Sequence, residues 1–448
     1  VDETGARRPR WGRNLSKPPR ARRWPARART RARAMNFLKN LASDLIDDQE
    51  AFTNLTQVAV VDTSACTTVL SKRYAKDSIY THCGPLLVAV NPYCTLEGLY
   101  DQAVLEEHMQ LVPDAARQPH VFEMAARVYG QLMATGQDQA VIISGESGAG
   151  KTENAKLLLR FFAEAACSAG DGLHHRVMGT NPIMESFGCA QTVRNDNSSR
   201  FGKFVQLQFT ASGRLAGAKL QTYLLEKSRV AQLSAGECCF HAFYETLEGL
   251  GAAQRQAYAA PDSWAHCAYL RGGGGATRDA AHDAAKFGRV REAFEHIGVS
   301  ADQQADIDQL VLAILHLGNV EFTNGDEATV AEGRARASLD AACALLQTEP
   351  AKMVNGMCLR RMKAGSEWVT TSHTVGQASD VRHALAKQLY SALFEWLVGA
   401  MNGALHEHHT GLADDRLGPS IGCVDIFGFE IFESNSLEQV RMRLSCKT

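Results

Sequence analysis

The eight residues Gly145-Glu146-Ser147-Gly148-Ala149-Gly150-Lys151-Thr152 constrain this chain more than any other segment. They fit the spacing G-x-x-x-x-G-K-[ST], in which the glycines let successive backbone N–H groups turn toward one point at a helix N-terminus. The surroundings that spacing requires are present. Ala140–Ser144 reads as a short buried strand, and Glu153–Arg160 opens a helix. The segment therefore predicts a nucleoside triphosphate site, with Lys151 reaching the β- and γ-phosphates and the Thr152 hydroxyl ligating Mg²⁺. A glycine turn with an idle lysine would require neither the strand before it nor the helix after it.

At 448 residues the chain is too long for one small core and suggests two or three subdomains. Its 45% hydrophobic and 21% charged residues are ordinary for a globular protein, and no run approaches the roughly 20 apolar residues of a membrane span. The twelve cysteines are scattered without a C-x-x-C pair, and Cys238 and Cys239 are adjacent. That usage predicts free thiols in a reducing, cytoplasmic setting rather than a disulfide framework or a zinc site.

The net charge of −2 hides an asymmetry, because residues 1–34 carry eleven arginines against Asp2 and Glu3. Rich in Ala and Pro and poor in aliphatic residues, this leader cannot fold alone. It reads either as a transit peptide or basic nucleic-acid arm, or as translated upstream sequence before a true start at Met35. The second reading is adopted, and no nucleic-acid partner is expected.

From Met35 onward strands and helices alternate. Leu86–Val90 reads as a buried strand ending at Asn91-Pro92, and His120–Met133 as an amphipathic helix. Val205, Leu207 and Phe209 alternate with polar residues before Gly213, predicting a hairpin whose return strand runs through Leu220, Tyr223 and Leu225. Ser420–Asp425 is a further apolar strand ending in an acid. The fold class is α/β: a phosphate-loop NTPase with a central, mostly parallel twisted sheet. Asp302–Leu317 and Asp380–Leu405 carry helical periodicity and read as core helices, while Gly272–Gly275 and Thr323–Arg336 read as connectors. His406-Glu407-His408-His409 reads as a solvated helix end, since no second ligand set has a suitable spacing.

Two more segments suit a γ-phosphate sensor. Asn195-Asp196-Asn197-Ser198-Ser199-Arg200-Phe201-Gly202-Lys203 gathers amides, hydroxyls and a guanidinium in one loop. Asp425-Ile426-Phe427-Gly428-Phe429-Glu430 follows a strand, where an acid can hold Mg²⁺ through water. With the phosphate loop, and with Asn181–Gly188 and Leu225–Val230, these segments resemble the myosin motor head. Kinesins share the scheme, but Phe201-Gly202-Lys203 and Gly428-Phe429-Glu430 have the myosin form. The resemblance runs from about residue 50 to about 440, in the family's order.

The resemblance implies a Mg²⁺-dependent ATPase that works on filamentous actin, with a largely helical upper actin-binding subdomain beside the sheet. It places Asn91, Pro92 and Tyr100 beside the adenine. Gly145, Glu146, Ser147, Gly148, Ala149, Gly150, Lys151, Thr152 and Glu153 would hold the phosphates, with Asn195, Asn197 and Ser198 from the first switch. Thr152 and Ser199 would complete the Mg²⁺ shell, and Asp425 would act on it through water. Lys151, Ser198, Arg200, Gly428 and Glu430 would serve the chemistry, Gly428 N–H meeting the γ-phosphate and Arg200 pairing with Glu430 to shut the site. Arg360–Gly376 corresponds to a loop at the tip of the actin cleft, where Glu367 supplies a fixed negative charge.

The implied organisation is a leader over 1–34 and a partial motor domain over 35–448. Within the latter, about 35–200 forms the phosphate-loop region, about 201–425 the upper cleft subdomain and sheet strands, and about 425–448 the second switch and a relay helix that breaks off. Light-chain and cargo sites are not encoded in this stretch, and motor activity is not expected of it in isolation. The competing reading is a nucleotide-binding or actin-tethering module without motility. Cys189 and Gln191 depart from the Asn and Lys usual in the family, which predicts altered kinetics rather than lost binding.

Overall fold

A computed structural model of the chain describes residues 52–58, 62–110, 118–166, 173–273, 278–406 and 417–425. Four strands form its largest sheet: β1 (Gln139–Ile143), β2 (Gly202–Thr210), β3 (Leu215–Tyr223) and β4 (Leu417–Asp425), in the order β1-β4-β2-β3. β4 lies parallel to β1, with Asp425 opposite Ile143. It runs antiparallel to β2, and β2 runs antiparallel to β3. The sheet is therefore mixed among the described residues, which corrects the expectation of a mostly parallel one. Apolar runs signal burial but not strand direction, and the hairpin at Gly213 forces β2 and β3 antiparallel.

Two further expectations change. β1 alternates between covered and uncovered side chains, with Ile142 72% exposed, so it is not a strand buried on both faces among the described residues. The Leu86–Val90 segment is not in the sheet. Leu86–Ala89 pairs with Tyr80–Cys83 in a separate antiparallel hairpin, and Leu86 is exposed. In both places a short apolar run looked the same in sequence whether one face or two were covered.

Helices wrap this frame: α1 (Val121–Thr135), α2 (Lys151–Ala166), α3 (Leu173–Gly188), α4 (His241–Gly249), α5 (Ala280–His296), α6 (Ala301–Gly318) and α7 (Val375–His406). The last two contain the predicted core helices. α6 begins with a reciprocal cap, Ser300 Oγ accepting from Gln303 N at 3.2 Å and Gln303 Oε1 from Ser300 N at 2.9 Å. α7 lies along β3, and its Asn402 amide bonds both the N–H and the C=O of Leu220 (2.7 and 2.9 Å). That contact covers backbone groups a sheet edge would otherwise leave open.

The main core is aromatic. Phe122 packs near Phe161, Phe240 stacks on Tyr390 at 4.7 Å between ring centroids, and the Tyr390 hydroxyl donates to Phe187 O at 2.7 Å. Phe201 sits edge-on to Phe394 and presses on Gly188, where an added Cβ would come within 2.2 Å of the ring. Only glycine fits there, so the loop that ends at Phe201 lies directly on the end of α3.

A smaller core joins Val320, Phe322, Leu339, Cys343, Met357, Cys358 and Ala378. The expected polar connector over Thr323–Arg336 contains a short strand pair, Phe322–Thr323 with Thr329–Val330. The segment expected as a loop over Arg360–Gly376 begins as a hairpin, Leu359–Ala364 with Glu367–Ser372, turning at Gly365 with φ +64°. Ten described cysteines have free thiols, none of the described helices is long and apolar enough to cross a membrane, and among the described residues no His/Cys/Asp/Glu group could hold a metal. His406 ends α7, and the other members of its cluster, Glu407, His408 and His409, lie outside the described residues.

Candidate nucleotide site

The parallel pair β1 and β4 delivers two segments to one end of the sheet. After β1 the chain turns through Gly148 (φ +80°) and Gly150 (φ +89°), conformations that side chains resist, and α2 starts at Lys151. Its unbonded N–H groups and its dipole make that end attractive to anions. At the end of β4, Asp425 arrives beside the same helix start. Thr152 Oγ1 donates to Asp425 Oδ2 at 2.9 Å, across 273 positions of sequence, and lies 3.3 Å from Ser199 Oγ. Burial raises the Asp425 carboxyl above its ordinary range, opposed by the Thr152 hydrogen bond and by Lys203 and Lys151.

A cavity opens here, lined by Asn91, Tyr93, Ser147, Gly148, Gly150, Lys151, Thr152, Glu153, Asn195, Asn197, Ser198 and Ser199. Most of the predicted phosphate-loop, first-switch and Mg²⁺ residues thus meet at this cavity; Gly145, Glu146 and Ala149 do not line it, and Asp425 reaches it through Thr152. Lys151 is buried, and its Nζ donates to Glu146 O at 2.7 Å. Asn91 Nδ2 donates to Gly148 O at 2.7 Å, tying the Asn91-Pro92 segment to the loop. Pro92 and Tyr100 are not lining residues; the Tyr100 hydroxyl meets Tyr80, which donates to Asn154 Oδ1 on α2. Tyr93, held at φ +54° and 60% exposed, lines the cavity, and sequence reasoning missed it although it follows Pro92 directly.

The first-switch loop is closely tied. Ser198 Oγ lies 3.2 Å from Ser147 Oγ and accepts from Arg200 Nη2 at 2.5 Å. A guanidinium can only donate, so the Ser198 proton remains free for another acceptor. The Asn195 side-chain amide braces the Asn197 backbone twice, Nδ2 donating to Asn197 O at 2.9 Å and Oδ1 accepting from Asn197 N at 3.1 Å. Cys189 Sγ sits 3.6 Å from Ser199 Oγ, and burial pushes its thiol up to about 12.

Behind the loop Arg200 joins a chain of buried charges whose other members the sequence did not assign a role. Arg200 Nη1 meets Glu226 Oε2 at 3.2 Å, Arg229 Nε meets the same oxygen at 2.8 Å, and Arg229 Nη2 meets Glu237 at 2.9 Å. Glu226 and Arg229 belong to the Leu225–Val230 segment, whose buried acid–base alternation was the available signal. Lys156 forms ion pairs with Glu185 and Glu153; burial would lower its ammonium, but the two carboxylates outweigh it and hold it above its ordinary range. Lys203 donates to Asn181 Oδ1 at 3.0 Å, linking β2 to α3.

Glu367 is exposed at the start of the second strand of the 359–372 hairpin, opposite Ala364, and is not among the residues that line this cavity. Gly428 and Glu430 lie outside the described residues.

Comparison with known proteins gives one consistent result. The family model described as "Myosin head (motor domain)" matches residues 50–445. Myosin-1 of Arabidopsis thaliana is 37% identical over 396 residues, which is 88% of this chain and 33% of that protein. Myosin ID heavy chain of Dictyostelium discoideum is 37% identical over 406 residues, 88% of this chain and 35% of the relative. Myosin-51 of Schizosaccharomyces pombe is 37% identical over 400 residues, covering 88% and 27%. The chain spans about a third of the length of the curated relatives it matches.

Proposed function

The chain belongs to the myosin motor-head family, and from that membership we propose that it binds Mg²⁺-complexed ATP, hydrolyses it, and serves an actin-based cytoskeletal motor in the cytoplasm. The observation that carries this reading is the meeting of Thr152, Ser199 and Asp425 at the start of α2. Two hydroxyls and a carboxylate are hard oxygen donors, the set a magnesium ion prefers. Thr152 and Ser199 would hold the ion directly and Asp425 through water; when bound, it supplies charge neutralisation on the phosphate oxygens.

This chain's own residues account for the rest. The backbone N–H groups of Gly148, Gly150 and Lys151 and the Lys151 ammonium would take the phosphate charge, while the Ala149 N–H is held by Glu146 O at 3.1 Å. Ser198 accepts one hydrogen bond from Arg200 and keeps its own proton, which it could donate to a phosphate oxygen or to the attacking water. Attack by water on the γ-phosphorus breaks its bond to the β–γ bridging oxygen, yielding ADP and inorganic phosphate. Gly428 and Glu430 would close the far side, Glu430 by pairing with Arg200.

The actin side of the proposal falls on the 359–372 hairpin. Leu359, Met362, Trp368 and Val369 are exposed there, and the Arg361 guanidinium lies over the Trp368 ring at 5.3 Å. Beside that apolar and basic surface Glu367 contributes the fixed acid. Exposed aromatic and arginine side chains of this kind favour a protein partner.

The test is a titration of the full chain with a fluorescent ATP analogue, with and without Mg²⁺, followed by cosedimentation with filamentous actin. Mg²⁺-dependent binding is expected, and because motor activity is not expected of this stretch in isolation, any cosedimentation with actin need not respond to ATP. Binding indifferent to Mg²⁺ would overturn the site, and an absence of cosedimentation with actin would count against the actin assignment.

A further inference from the structure

Outside the phosphate contacts, one side chain reaches the first-switch loop from a different element. His241, the first residue of α4, is buried, and its Nε2 lies 3.2 Å from Asn197 Oδ1. Its other ring nitrogen, Nδ1, lies 3.2 Å from Arg278 Nη1. Arg278 is itself fixed: Nε bonds Asp283 Oδ2 at 3.0 Å, Nη2 bonds the other oxygen, and the guanidinium lies 4.2 Å over the Tyr244 ring.

These contacts determine the proton positions. A guanidinium has no acceptor, so Nδ1 must accept and the neutral ring must carry its hydrogen on Nε2. Nε2–H then donates, and the atom of Asn197 that faces it must be the amide oxygen rather than the nitrogen. Burial, reinforced by the nearby Lys286, Arg278 and His282 charges, holds His241 well below its ordinary range, in the neutral form this scheme needs. With its oxygen taken, Asn197 has its NH₂ group left. That group makes no hydrogen bond among the described residues, and Asn197 lines the cavity.

We infer that Asp283, Arg278 and His241 form a relay whose purpose is to orient the Asn197 amide, so that its NH₂ faces the nucleotide phosphates. His241 is thereby a positioning residue: it acts through Asn197, and it links the start of α5 to the switch loop. This inference rests on the nucleotide reading of the cavity and adds to it a source of specificity for an anion.

The experiment is a double-mutant cycle on MgATP affinity in the full chain, with melting temperature recorded for every variant. Asn197→Ala and His241→Phe should each weaken binding about tenfold, the loss of one oriented hydrogen bond. The double variant should be no weaker than Asn197→Ala alone, because His241 has nothing to act on once the amide is gone. His241→Gln presents an N–H and an oxygen of its own and should recover most of the affinity. Additive losses, or no rescue by glutamine, would overturn the relay. If His241→Phe does not fold, Asn197→Asp decides instead. There His241 keeps its acceptor while a carboxylate oxygen replaces the NH₂, so binding should fall well below that of Asn197→Ala, and equal affinities would overturn the inference. Failure of the unmodified chain to bind MgATP overturns the nucleotide reading and the relay together; normal binding that ignores both substitutions overturns the relay alone.

Discussion

Arg200 donates to Ser198 Oγ at 2.5 Å and to Glu226 Oε2 at 3.2 Å, so one buried guanidinium joins a candidate catalytic hydroxyl to the charge chain behind the switch loop. Both ends of that bridge are buried. Removing the carboxylate leaves Arg200 and Arg229 short of their shared counter-charge, a loss of about 3–5 kcal/mol for a broken buried pair. Glu226→Ala should therefore lower unfolding stability by that amount in urea denaturation. A change below about 1 kcal/mol, the level of a surface pair, would contradict the buried network.

The same bridge dictates how the proposed Arg200–Glu430 pair is tested. Arg200→Glu would set a second carboxylate against Glu226, and its damage would reflect that repulsion as well as any lost partner. Reversing Glu430 alone avoids the problem. Glu430→Arg should abolish steady-state ATP turnover while leaving nucleotide binding within about threefold of the unmodified chain, since closure rather than binding depends on it. Turnover that survives the reversal counts against the pair.

Lys151→Ala removes a charge-assisted contact and should weaken MgATP binding by about 2–3 kcal/mol. Calorimetric titration measures it directly. Because the Lys151 ammonium also bonds Glu146 O, the phosphate loop is checked in parallel by its resistance to proteolysis, which should change little.

Metal affinity should depend on pH through Asp425. Its pKa is raised by burial, so on acidification it takes up a proton at a higher pH than an exposed aspartate does, and the proton competes with the cation. Mg²⁺-dependent nucleotide affinity should fall as pH is lowered toward that raised value and be restored above it. Asp425→Asn should bind Mg²⁺–nucleotide more weakly and lose the pH dependence. A profile unaltered by the substitution assigns the proton to another group.

Glu245 supplies a stability prediction of the opposite sense. Buried on α4 and accepting from Ser186 Oγ at 2.5 Å, it is raised to about 7, chiefly by burial. Between its unfolded value, near 4.5, and 7 the folded chain holds a proton that the unfolded chain has released, so stability falls as pH rises through that window. The fall is on the order of 3 kcal/mol. Glu245→Gln keeps an acceptor for Ser186 without the charge. It should flatten this part of the stability curve and raise the melting temperature at pH 8 relative to the unmodified chain.

The phosphate loop was legible because its demands are local: glycines at fixed offsets, a strand before and a helix after, all within 30 residues of one another. Helices α6 and α7 were legible for the same reason, their periodicity and the Ser300–Gln303 cap being written in adjacent residues. Strand direction was not, since the apolar character of Ala140–Ile143 or Leu86–Ala89 says nothing about which neighbour pairs or how many faces are covered. The Thr152–Asp425 contact joins segments 273 positions apart and could be anticipated only through the family pattern. His241 was invisible for a different reason. A lone histidine among apolar residues reads as core, and its meaning depends on Arg278 and Asn197, which approach it from two other elements.

From Ser420 to Asp425 the strand β4 keeps unbroken step with its neighbours, ending with Asp425 level with Ile143. Each residue along a strand advances about 3.3 Å and reverses the direction of the side chain. The match between phosphate loop and acid is thus kept as a residue count, in the manner of a vernier scale. Removing one amino acid between Ser420 and Val424 would leave composition and hydropathy almost unchanged. It would nevertheless turn the carboxylate to the opposite face of the sheet, out of reach of the Thr152 hydroxyl. Length variation among related chains should accordingly collect in connecting segments and be excluded from this short stretch, where a single-residue indel is costlier than most substitutions.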